Sequence, residues 1–344
     1  MTRVAVFGAT GYGGIELVRL LVEHPQVEIA YLGGHTTVGE NVAQVYPHLA
    51  GAINMTVGET SVEEAAAAAD LLFFALPHAV GAPLVAEALE LGRKVIDFSA
   101  DYRLKDRAAY ERYYEPHPRP ELLERAVYGL PELHRAEIAG TDLTAVPGCY
   151  PTSAILALAP ACGRGLIEAT GIIVDAKSGV SGAGRGLTLG THFPECNESV
   201  AAYKVAAHRH TPEIIQELSL LGEPVTVTFA PHLIPMNRGI LSTCYGTLRE
   251  NLSAAEAVES YREFYAGEPF VRIHDAGSLP ATKHVAGSNF CDIGLVVDAD
   301  AGRLIAVAAV DNLVKGLAGA AVQCMNLMLG LPETTGLARY PLWP

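Results

Sequence analysis

Near its start the chain reads Gly8-Ala9-Thr10-Gly11-Tyr12-Gly13-Gly14, between an apolar run at Arg3 to Phe7 and a segment with helical apolar spacing at Gly11 to Glu23. Glycines in such a loop let the turn close, let the backbone approach a pyrophosphate, and let the helix pack near the strand. The phosphate then lies at the helix N-terminus. A tight turn is the alternative, but the flanking strand and helix favour a dinucleotide site. Its predicted cofactor contacts are Gly8, Thr10, Gly11, Tyr12, Gly13 and Gly14.

The rest of the first third continues the alternation of strand and helix. Apolar runs predict strands at Val27 to Leu32, Leu71 to Leu76 and Lys94 to Phe98, with a helix at Val80 to Leu91 between the last two. The run Leu71 to Leu76 is apolar throughout, as in a strand covered on both faces. This alternation of strands and helices in βαβ order predicts a parallel sheet with right-handed crossovers, and therefore an α/β domain of the Rossmann type.

The end of the second predicted strand indicates which dinucleotide is bound. An NAD site usually has an Asp or Glu there for the ribose 2′-hydroxyl. This chain instead reads Tyr31-Leu32-Gly33-Gly34-His35-Thr36-Thr37, which contains no carboxylate. Hydroxyl groups, an imidazole and backbone N–H groups suit a 2′-phosphate better. We therefore predict NADP(H), with Thr36 and Thr37 near its 2′-phosphate.

From about Ile172 the sequence changes to strands separated by longer loops. The strands predicted here are Gly171 to Ala176, Val225 to Ala230, Ile240 to Leu248, Cys291 to Val297 and Leu304 to Val310. This spacing is typical of an α+β domain with a large mixed or antiparallel sheet. A last helix is predicted at Leu313 to Leu329, and in a two-domain chain such a helix often packs back onto the first domain.

The composition limits the class of protein. The chain has 344 residues, enough for two domains, and half of them are hydrophobic. The formal net charge of −14, without a lysine or arginine cluster, argues against a nucleic-acid surface. No apolar run approaches the length that spans a bilayer, and the N-terminus lacks a signal-peptide pattern. The six cysteines form no Cys-x-x-Cys pair, so we expect reduced thiols, no metal site and a cytoplasmic protein.

One cysteine stands in a distinctive context, Val146-Pro147-Gly148-Cys149-Tyr150-Pro151-Thr152. The apolar run Leu143 to Val146 precedes it, and a helix-like segment, Pro151 to Ala161, follows. The thiol therefore lies at a strand-to-helix corner, where backbone N–H groups and the helix dipole favour an anion. We predict that Cys149 is a nucleophile, because the thiolate is the reactive form. The alternative is a small buried hydrophobic residue.

A nicotinamide cofactor and an activated cysteine together suggest one chemistry. The thiolate attacks an acyl carbon, and hydride passes between the cofactor and the resulting thioester. Such a mechanism needs an imidazole near the sulfur. His208 and His210 flank Arg209 just before a helix start that is marked by Thr211 and Pro212. The alternative for this cluster is a solvated helix N-terminus.

Two further polar stretches are candidate anion sites. Ser178 to Gly186 offers hydroxyl groups, backbone N–H groups and a guanidinium, although a flexible loop is the alternative. Arg103 follows the predicted strand Lys94 to Phe98, where it can grip a phosphate bidentately or pair with Asp97 or Asp101. The cofactor contacts assigned from these stretches are Ser178, Gly179 and Gly182. The substrate and phosphate contacts assigned are Arg103, Ser181, Arg185, Arg209 and Glu213.

Taken in order, these stretches closely resemble one family, the N-acetyl-γ-glutamyl-phosphate reductases of arginine biosynthesis. The motifs that carry the resemblance span nearly the whole chain. They are Gly8 to Gly14, Ala75-Leu76-Pro77-His78, Ser99-Ala100-Asp101-Tyr102-Arg103, Tyr128-Gly129-Leu130-Pro131-Glu132, Val146 to Thr152, Ser178 to Arg185, His208 to Ile214, and Asp311-Asn312-Leu313-Val314-Lys315-Gly316.

The resemblance implies the fold of the aspartate-semialdehyde dehydrogenases. We expect an NADP-binding Rossmann domain at 1–148 and 313–344, and a catalytic and oligomerisation domain at 149–312. The final helix would return to the first domain. The resemblance also implies a cytoplasmic homo-oligomer, a dimer or a tetramer. Its partners would be a small acyl phosphate and the released phosphate, with no nucleic acid or membrane.

The resemblance assigns roles to particular residues. Cys149 would displace phosphate and form an acyl-thioester, and NADPH would deliver hydride to give N-acetylglutamate 5-semialdehyde. His208 would be the acid–base partner, with His210 left open as the other choice. Pro77 would line the cofactor cleft, and Asn312 would bond the nicotinamide amide. A serine, Ser153, stands where the family pattern predicts Gly or Ala, which affects local packing only.

Four other functions remain open at this point. Within the same chemistry, the first is a reductase of a carrier-bound aminoadipyl phosphate in lysine biosynthesis. It would need a basic docking face that the net charge does not indicate. Aspartate-semialdehyde dehydrogenase has a different cysteine motif and binds a free amine. A catalytically silent NADP-binding sensor and a Cys-His acyl hydrolase are further alternatives, although the glycine loop would have no use in the hydrolase.

Overall fold

The computed structural model describes residues 1–343, and these form two compact units. The first contains Met1–Pro147 and Leu317–Ala338, and the second contains Gly148–Gly316 and the chain from Arg339 onward. The sequence-based ranges instead assigned 313–344 entirely to the first domain. The C-terminal segment belongs to the second unit because Leu342 donates its N–H to the Ala286 carbonyl oxygen (2.9 Å). Lys283 also lies over the Trp343 ring, 5.5 Å from its centre.

The first unit is built on a six-stranded parallel sheet. Its strands are β1 (Thr2–Phe7), β2 (Val27–Gly33), β3 (Leu71–Phe74), β4 (Lys94–Asp97), β5 (Val127–Tyr128) and β6 (Leu143–Ala145). Their order in the sheet is β2-β1-β3-β4-β6-β5. All four residues of β3 are buried, as a strand covered on both faces requires. Because β2 and β3 lie on opposite sides of β1, the strand order reverses at β1, and open α/β sheets bind ligands at the carboxyl end of the strands where this reversal occurs.

Helices accompany this sheet in the βαβ order that the sequence predicted. They are α1 (Tyr12–Val22), α2 (Val42–Val45), α3 (Val62–Ala68), α4 (Gly81–Glu90), α5 (Arg107–Tyr113) and α6 (Pro131–Gly140). Helix α1 buries Leu17, Val18 and Leu21 on one face, which accounts for its amphipathic spacing. The sequence analysis missed α5 and α6, whose largely polar sequences carry a weak apolar pattern.

The second unit is built on a seven-stranded mixed sheet. Its strands are β7 (Ile172–Gly179), β8 (Ala201–Ala202), β9 (Val227–Ile234), β10 (Ile240–Thr247), β11 (Val271–Ile273), β12 (Cys291–Asp298) and β13 (Arg303–Val310). Their order is β11-β12-β13-β10-β7-β9-β8. The β7–β9 and β11–β12 pairs are parallel, and the other pairs are antiparallel. The predicted mixed sheet is therefore confirmed.

The helices of the second unit are α7 (Cys149–Gly163), α8 (Phe193–Cys196), α9 (Thr211–Ser219) and α10 (Ala254–Phe264). Helix α7 is the centre of the core, because every residue from Tyr150 to Ala161 is buried. It packs against β10, β13 and α9. Helix α10 was not predicted, although its capping box, in which Ser253 and Glu256 bond each other's backbone N–H groups, is a readable start signal.

The last helix of the chain begins later than predicted. A π-helical turn occupies Val314–Ala318, and α11 (Gly319–Met328) follows it. Helix α11 belongs to the first unit and packs on α1 and α6, so the predicted return of this helix is confirmed. Among residues 1–343, none of the helices combines the length and the apolar character that crossing a bilayer requires.

Candidate active site and cofactor loop

The glycine loop after β1 is closed by its own backbone. Gly8 has a positive φ of 73° and donates its N–H to the Gly33 carbonyl oxygen at 2.9 Å. Gly11 donates its N–H back to the Gly8 carbonyl oxygen at 3.0 Å. A Cβ on Gly8 would overlap the Ala75 carbonyl, and one on Gly14 would overlap the backbone of Gly8. The backbone of the loop therefore packs closely against its neighbours at the N-terminus of α1. This close packing leaves room for a pyrophosphate and fits a dinucleotide.

Gly8→Ala is expected to destabilise the first unit and to abolish NADPH binding. The added methyl group meets a backbone carbonyl, and alanine rarely adopts a positive φ. We therefore expect a loss of about 3 kcal/mol or more in the free energy of unfolding. Gly11→Ala is the matched control for the stability loss, because its Cβ would lie 3.5 Å from the nearest atom, the Gly8 carbonyl oxygen. Urea unfolding and NADPH fluorescence titration measure both effects, and equal stability losses in the two variants would contradict the expectation.

The other predicted cofactor residues of the first unit lie around this loop. The hydroxyl groups of Thr10 and Thr37 are 3.0 Å apart and buried. This bond ties the glycine loop to the segment after β2. Thr36 is exposed beside it, and Tyr12 and Pro77 are also exposed. An exposed hydroxyl and no carboxylate at this place fit a 2′-phosphate.

The segment after β4 contains a buried polar network. Ser99 donates its hydroxyl to Asp97 at 2.5 Å, and the Asp101 carboxylate accepts from the Ala79 N–H and the Tyr110 hydroxyl. Ala79 has a positive φ of 62°, so these bonds hold the chain after β3 in a strained conformation. Arg103, predicted either as a phosphate ligand or as an ion-pair partner, is buried and donates to the Phe98 carbonyl oxygen at 2.7 Å. This geometry favours a structural role for Arg103.

Asp97→Asn is expected to flatten the pH dependence of stability. Complete burial, with the nearby Asp101 charge second, raises the pKa of Asp97 to about 7. Since the folded protein holds this proton more tightly than the unfolded chain, the stabilisation is full below about pH 4 and is lost as the pH rises through 7. Wild type should lose about 1–3 kcal/mol more than the variant between pH 5 and pH 8. Urea unfolding at both pH values measures this, and parallel losses would contradict it.

Cys149 is the first residue of α7 in the second unit. Gly148 occupies the N-cap position with extended backbone angles, so the helix starts at the cysteine itself. The Gly148 N–H donates to Glu213 Oε1 at 2.8 Å, and Glu213 is buried in the first turn of α9. Glu213, predicted as a substrate ligand, therefore holds the residue that precedes the candidate nucleophile. The Cys149 side chain itself is partly exposed.

The two candidate histidines are joined to one another. The backbone N–H of His210 donates to His208 Nδ1 at 3.1 Å, and the centres of the two rings are 4.7 Å apart. Burial, reinforced by the charges of Arg209 and Lys204, lowers the pKa of His208 to about 4. His208 is therefore a neutral imidazole at physiological pH. His210 is less buried than His208.

Cys149 and both histidines line one cavity of about 470 Å³. Arg209, Ser178 and Gly182, all predicted as ligand contacts, line it as well. Residues of the wall that the sequence analysis missed include Tyr150, Thr188, Thr191, Tyr203 and Lys204. Tyr150 could have been considered because it adjoins Cys149, whereas Tyr203 and Lys204 carry no motif. Lys204 and Arg209 give the cavity two cationic side chains.

The glycine-rich loop after β7 is tied to Asn312. The Asn312 Nδ2 donates to Ser181 Oγ at 3.0 Å, and its Oδ1 accepts from the Gly239 N–H at 2.7 Å. Ser181 in turn donates to the Asn237 carbonyl oxygen at 2.5 Å. The amide that was predicted to bond nicotinamide therefore holds this loop at its nitrogen and the turn before β10 at its oxygen. Gly179 ends β7 in the same loop, and Arg185 is exposed beyond it.

A dinucleotide-binding α/β unit joined to a mixed-sheet unit with a cysteine at a helix start defines the semialdehyde dehydrogenase class. Residues 3–141 match the family model described as "Semialdehyde dehydrogenase, NAD binding domain". Residues 149–312 match the one described as "Semialdehyde dehydrogenase, dimerisation domain". Within that class, the chain belongs to the N-acetyl-γ-glutamyl-phosphate reductase family. The relatives that show this are similar over their full length.

Three curated proteins named N-acetyl-gamma-glutamyl-phosphate reductase illustrate the similarity. Those of Symbiobacterium thermophilum and Pelotomaculum thermopropionicum are 53% and 54% identical, each over 99% of both chains. The protein of Geobacter metallireducens is 54% identical over 100% of both chains.

Two solved structures share the fold at low sequence identity. Aspartate semialdehyde dehydrogenase II of Vibrio cholerae has a TM-score of 0.74 at 18% identity and covers 96% of this chain and 98% of its own. The Candida albicans aspartate semialdehyde dehydrogenase with NADP has a TM-score of 0.72 at 14% identity, with the same coverage of both chains. The predicted fold class is thereby confirmed.

Proposed function

We propose that this protein reduces N-acetyl-γ-glutamyl phosphate to N-acetylglutamate 5-semialdehyde, with NADPH as the electron donor, in arginine biosynthesis. The observation that carries the proposal is Cys149 at the start of α7, in a cavity that it shares with His208, His210 and Arg209. The full-length relatives that bear this name support the substrate. The two cationic side chains of the cavity, Lys204 and Arg209, suit a substrate with a carboxylate and a phosphate.

Cys149 begins the reaction as the nucleophile. Its sulfur attacks the γ-carbonyl carbon, the carbon–oxygen bond to phosphate breaks, and phosphate leaves with the bonding electron pair. The acyl group is then held as a thioester on Cys149. When bound, NADPH supplies the hydride that reduces the thioester carbon. The carbon–sulfur bond of the resulting thiohemiacetal breaks, which releases the aldehyde and restores the Cys149 thiolate.

We propose that His210 is the general acid–base residue that transfers the proton to and from the substrate oxygen. Reduction leaves a negative charge on the oxygen of the thiohemiacetal, and a general acid stabilises that charge by donating a proton, which it takes back when the aldehyde leaves. A pKa of about 4 makes His208 a poor proton donor near neutral pH. His208 instead accepts the His210 N–H, which fixes the backbone that carries the His210 ring. This reverses the preference for His208 that the sequence analysis stated.

The glycine loop supports the cofactor assignment. Gly8, Gly11, Gly13 and Gly14 would hold the pyrophosphate at the start of α1, with Thr10 and Tyr12 beside it. Thr36 and Thr37 would approach the 2′-phosphate, and Pro77 would border the site. In the second unit, Ser178, Gly179 and Gly182 remain proposed cofactor contacts. Asn312 supports them through Ser181.

The reverse reaction gives the sharpest assay of this function. N-acetylglutamate semialdehyde, phosphate and NADP⁺ should together produce NADPH, which absorbs at a wavelength where NADP⁺ does not. Omission of phosphate should limit NADPH formation to at most about one equivalent per active site, because phosphate must attack the thioester to release the product and free Cys149 for the next turnover. Aspartate semialdehyde in place of the N-acetylated compound is the matched control, and a stronger signal with it would contradict the proposal.

We further propose that the protein is a cytoplasmic homo-oligomer, a dimer or a tetramer. The match to a dimerisation domain supports association of the second unit. Leu187, Leu189 and Phe193 are highly exposed in the segment before β8, and exposed apolar groups of this size mark interaction surfaces. Sedimentation velocity tests the assembly, and a monomer at micromolar concentration would contradict it.

A further inference from the structure

The segment after β13 brings Gly316 into close contact with the candidate nucleophile, Cys149. A Cβ on Gly316 would lie 2.8 Å from the Cys149 Cβ and 3.2 Å from the Cys149 Cα. The conformation of Gly316 is not the reason for glycine, because its φ lies outside the positive region. Glycine is required at position 316 for steric reasons, since any side chain there would overlap Cys149. Gly316 therefore packs closely against the Cα and Cβ of Cys149.

The backbone of Gly316 is held by Asp311. The Gly316 N–H donates to the Asp311 carbonyl oxygen at 2.9 Å, an i to i+5 bond that makes the π-helical turn. Such turns are rare and occur frequently at functional sites. They widen the helix by one residue, which here brings the glycine against the cysteine.

The Asp311 carboxylate is fully buried and fixes the same turn. Its Oδ1 accepts the N–H groups of Leu313 (2.9 Å) and Val314 (3.1 Å), and its Oδ2 accepts that of Gly287 (2.8 Å). Arg238 Nε lies 3.6 Å from Oδ2. A buried carboxylate with this many donors is a rigid anchor. The turn is therefore set by the core of the second unit, not by the exposed loops that surround the cavity.

We propose that Asp311 and Gly316 are positioning residues that set the location of the Cys149 sulfur. They act from behind the cysteine, while Glu213 holds the preceding residue, Gly148, at 2.8 Å. The cysteine backbone is thus fixed at two points by groups distant in sequence. A displacement of the nucleophile by a fraction of an ångström should slow attack on the acyl carbon, because the reacting atoms must be aligned.

Gly316→Ala tests this proposal, which rests on the proposed role of Cys149. The variant should lose about 10- to 100-fold in kcat, with KM and NADPH affinity changed less than about threefold. Alkylation of Cys149 by iodoacetamide should change in rate as well. Gly140→Ala is the control, because a Cβ there meets no atom within 4 Å. A Gly316→Ala protein with the kcat and alkylation rate of wild type would overturn the proposal.

A double-mutant cycle keeps the test decisive if Gly316→Ala folds poorly. Cys149→Gly removes the Cys149 Cβ, the nearest of the atoms that the new methyl group meets. Gly316→Ala should therefore lower Tm less in the Cys149→Gly background than in wild type, by at least half. Equal losses of Tm in both backgrounds would show that the contact with Cys149 is not the cause and would overturn the proposal. Neither alkylation nor unfolding requires turnover, so these results are independent of the proposed substrate.

Discussion

Cys149→Ser is expected to lower kcat by about 10³-fold or more and to leave NADPH affinity unchanged. A serine hydroxyl is almost fully protonated near neutral pH, so it cannot replace the thiolate that attacks the acyl carbon. The substituted atom belongs to the second unit, whereas the glycine loop that we assign to the pyrophosphate belongs to the first. The NADPH-forming assay and a fluorescence titration of NADPH measure the two quantities separately.

Cys162→Ser is the matched control for this experiment. Cys162 lies in the same helix as Cys149, and burial raises the pKa of its thiol to about 11. It is therefore protonated in the assay and should contribute nothing to the chemistry. Comparable losses of activity in the two variants, or substantial turnover by Cys149→Ser, would rule out Cys149 as the nucleophile.

His210→Asn is expected to reduce kcat by about 10²- to 10³-fold, the usual effect of removing a general acid or base. His208→Asn should cost about tenfold or less, because the asparagine Oδ1 can replace His208 Nδ1 as the acceptor for the His210 N–H. The comparison separates a residue that carries the proton from one that orients it.

The pH profiles of the two histidine variants give a second measurement. Since the pKa of His208 is already near 4, its removal should leave the kcat profile between pH 6 and pH 9 unchanged in shape. His210→Asn should flatten any limb of that profile that reports the proton donor. A profile altered only by His208→Asn would reverse the two roles.

Much of the fold could be predicted because its strong signals are local. The apolar runs of β1 to β4 and the glycine loop are contiguous in sequence, and both units follow from them and from the strands after Ile172. Most of the missed elements lack such signals, and α10, whose capping box was readable, is the exception. Helices α5 and α6 are largely polar, and β8 has only two residues. The π-helical turn at Val314–Ala318 could not be predicted from the sequence, because it depends on the buried carboxylate of Asp311.

The candidate site was only partly predictable, because its contacts join residues far apart in the chain. Cys149 has a local signal at its helix start, but the bond from Gly148 to Glu213 crosses 65 residues. The hydrogen bond between Asn312 and Ser181 joins residues that are 131 positions apart in the sequence. The choice between His208 and His210 depends on burial, which neither residue's neighbours in sequence reveal. Motifs can place residues in a site, but the fold decides which residue touches which.

Helix α7 has a further consequence for how ligand binding could be observed. Its residues Tyr150 to Ala161 are buried, so the backbone N–H groups of the non-proline residues among them should exchange with deuterium only when the second unit unfolds globally. Another part of the cavity wall, around Thr188 and Thr191, lies in an exposed segment whose amides should exchange quickly. Protection by a bound substrate would therefore register in that segment, while the helix that carries the reactive sulfur would show no footprint.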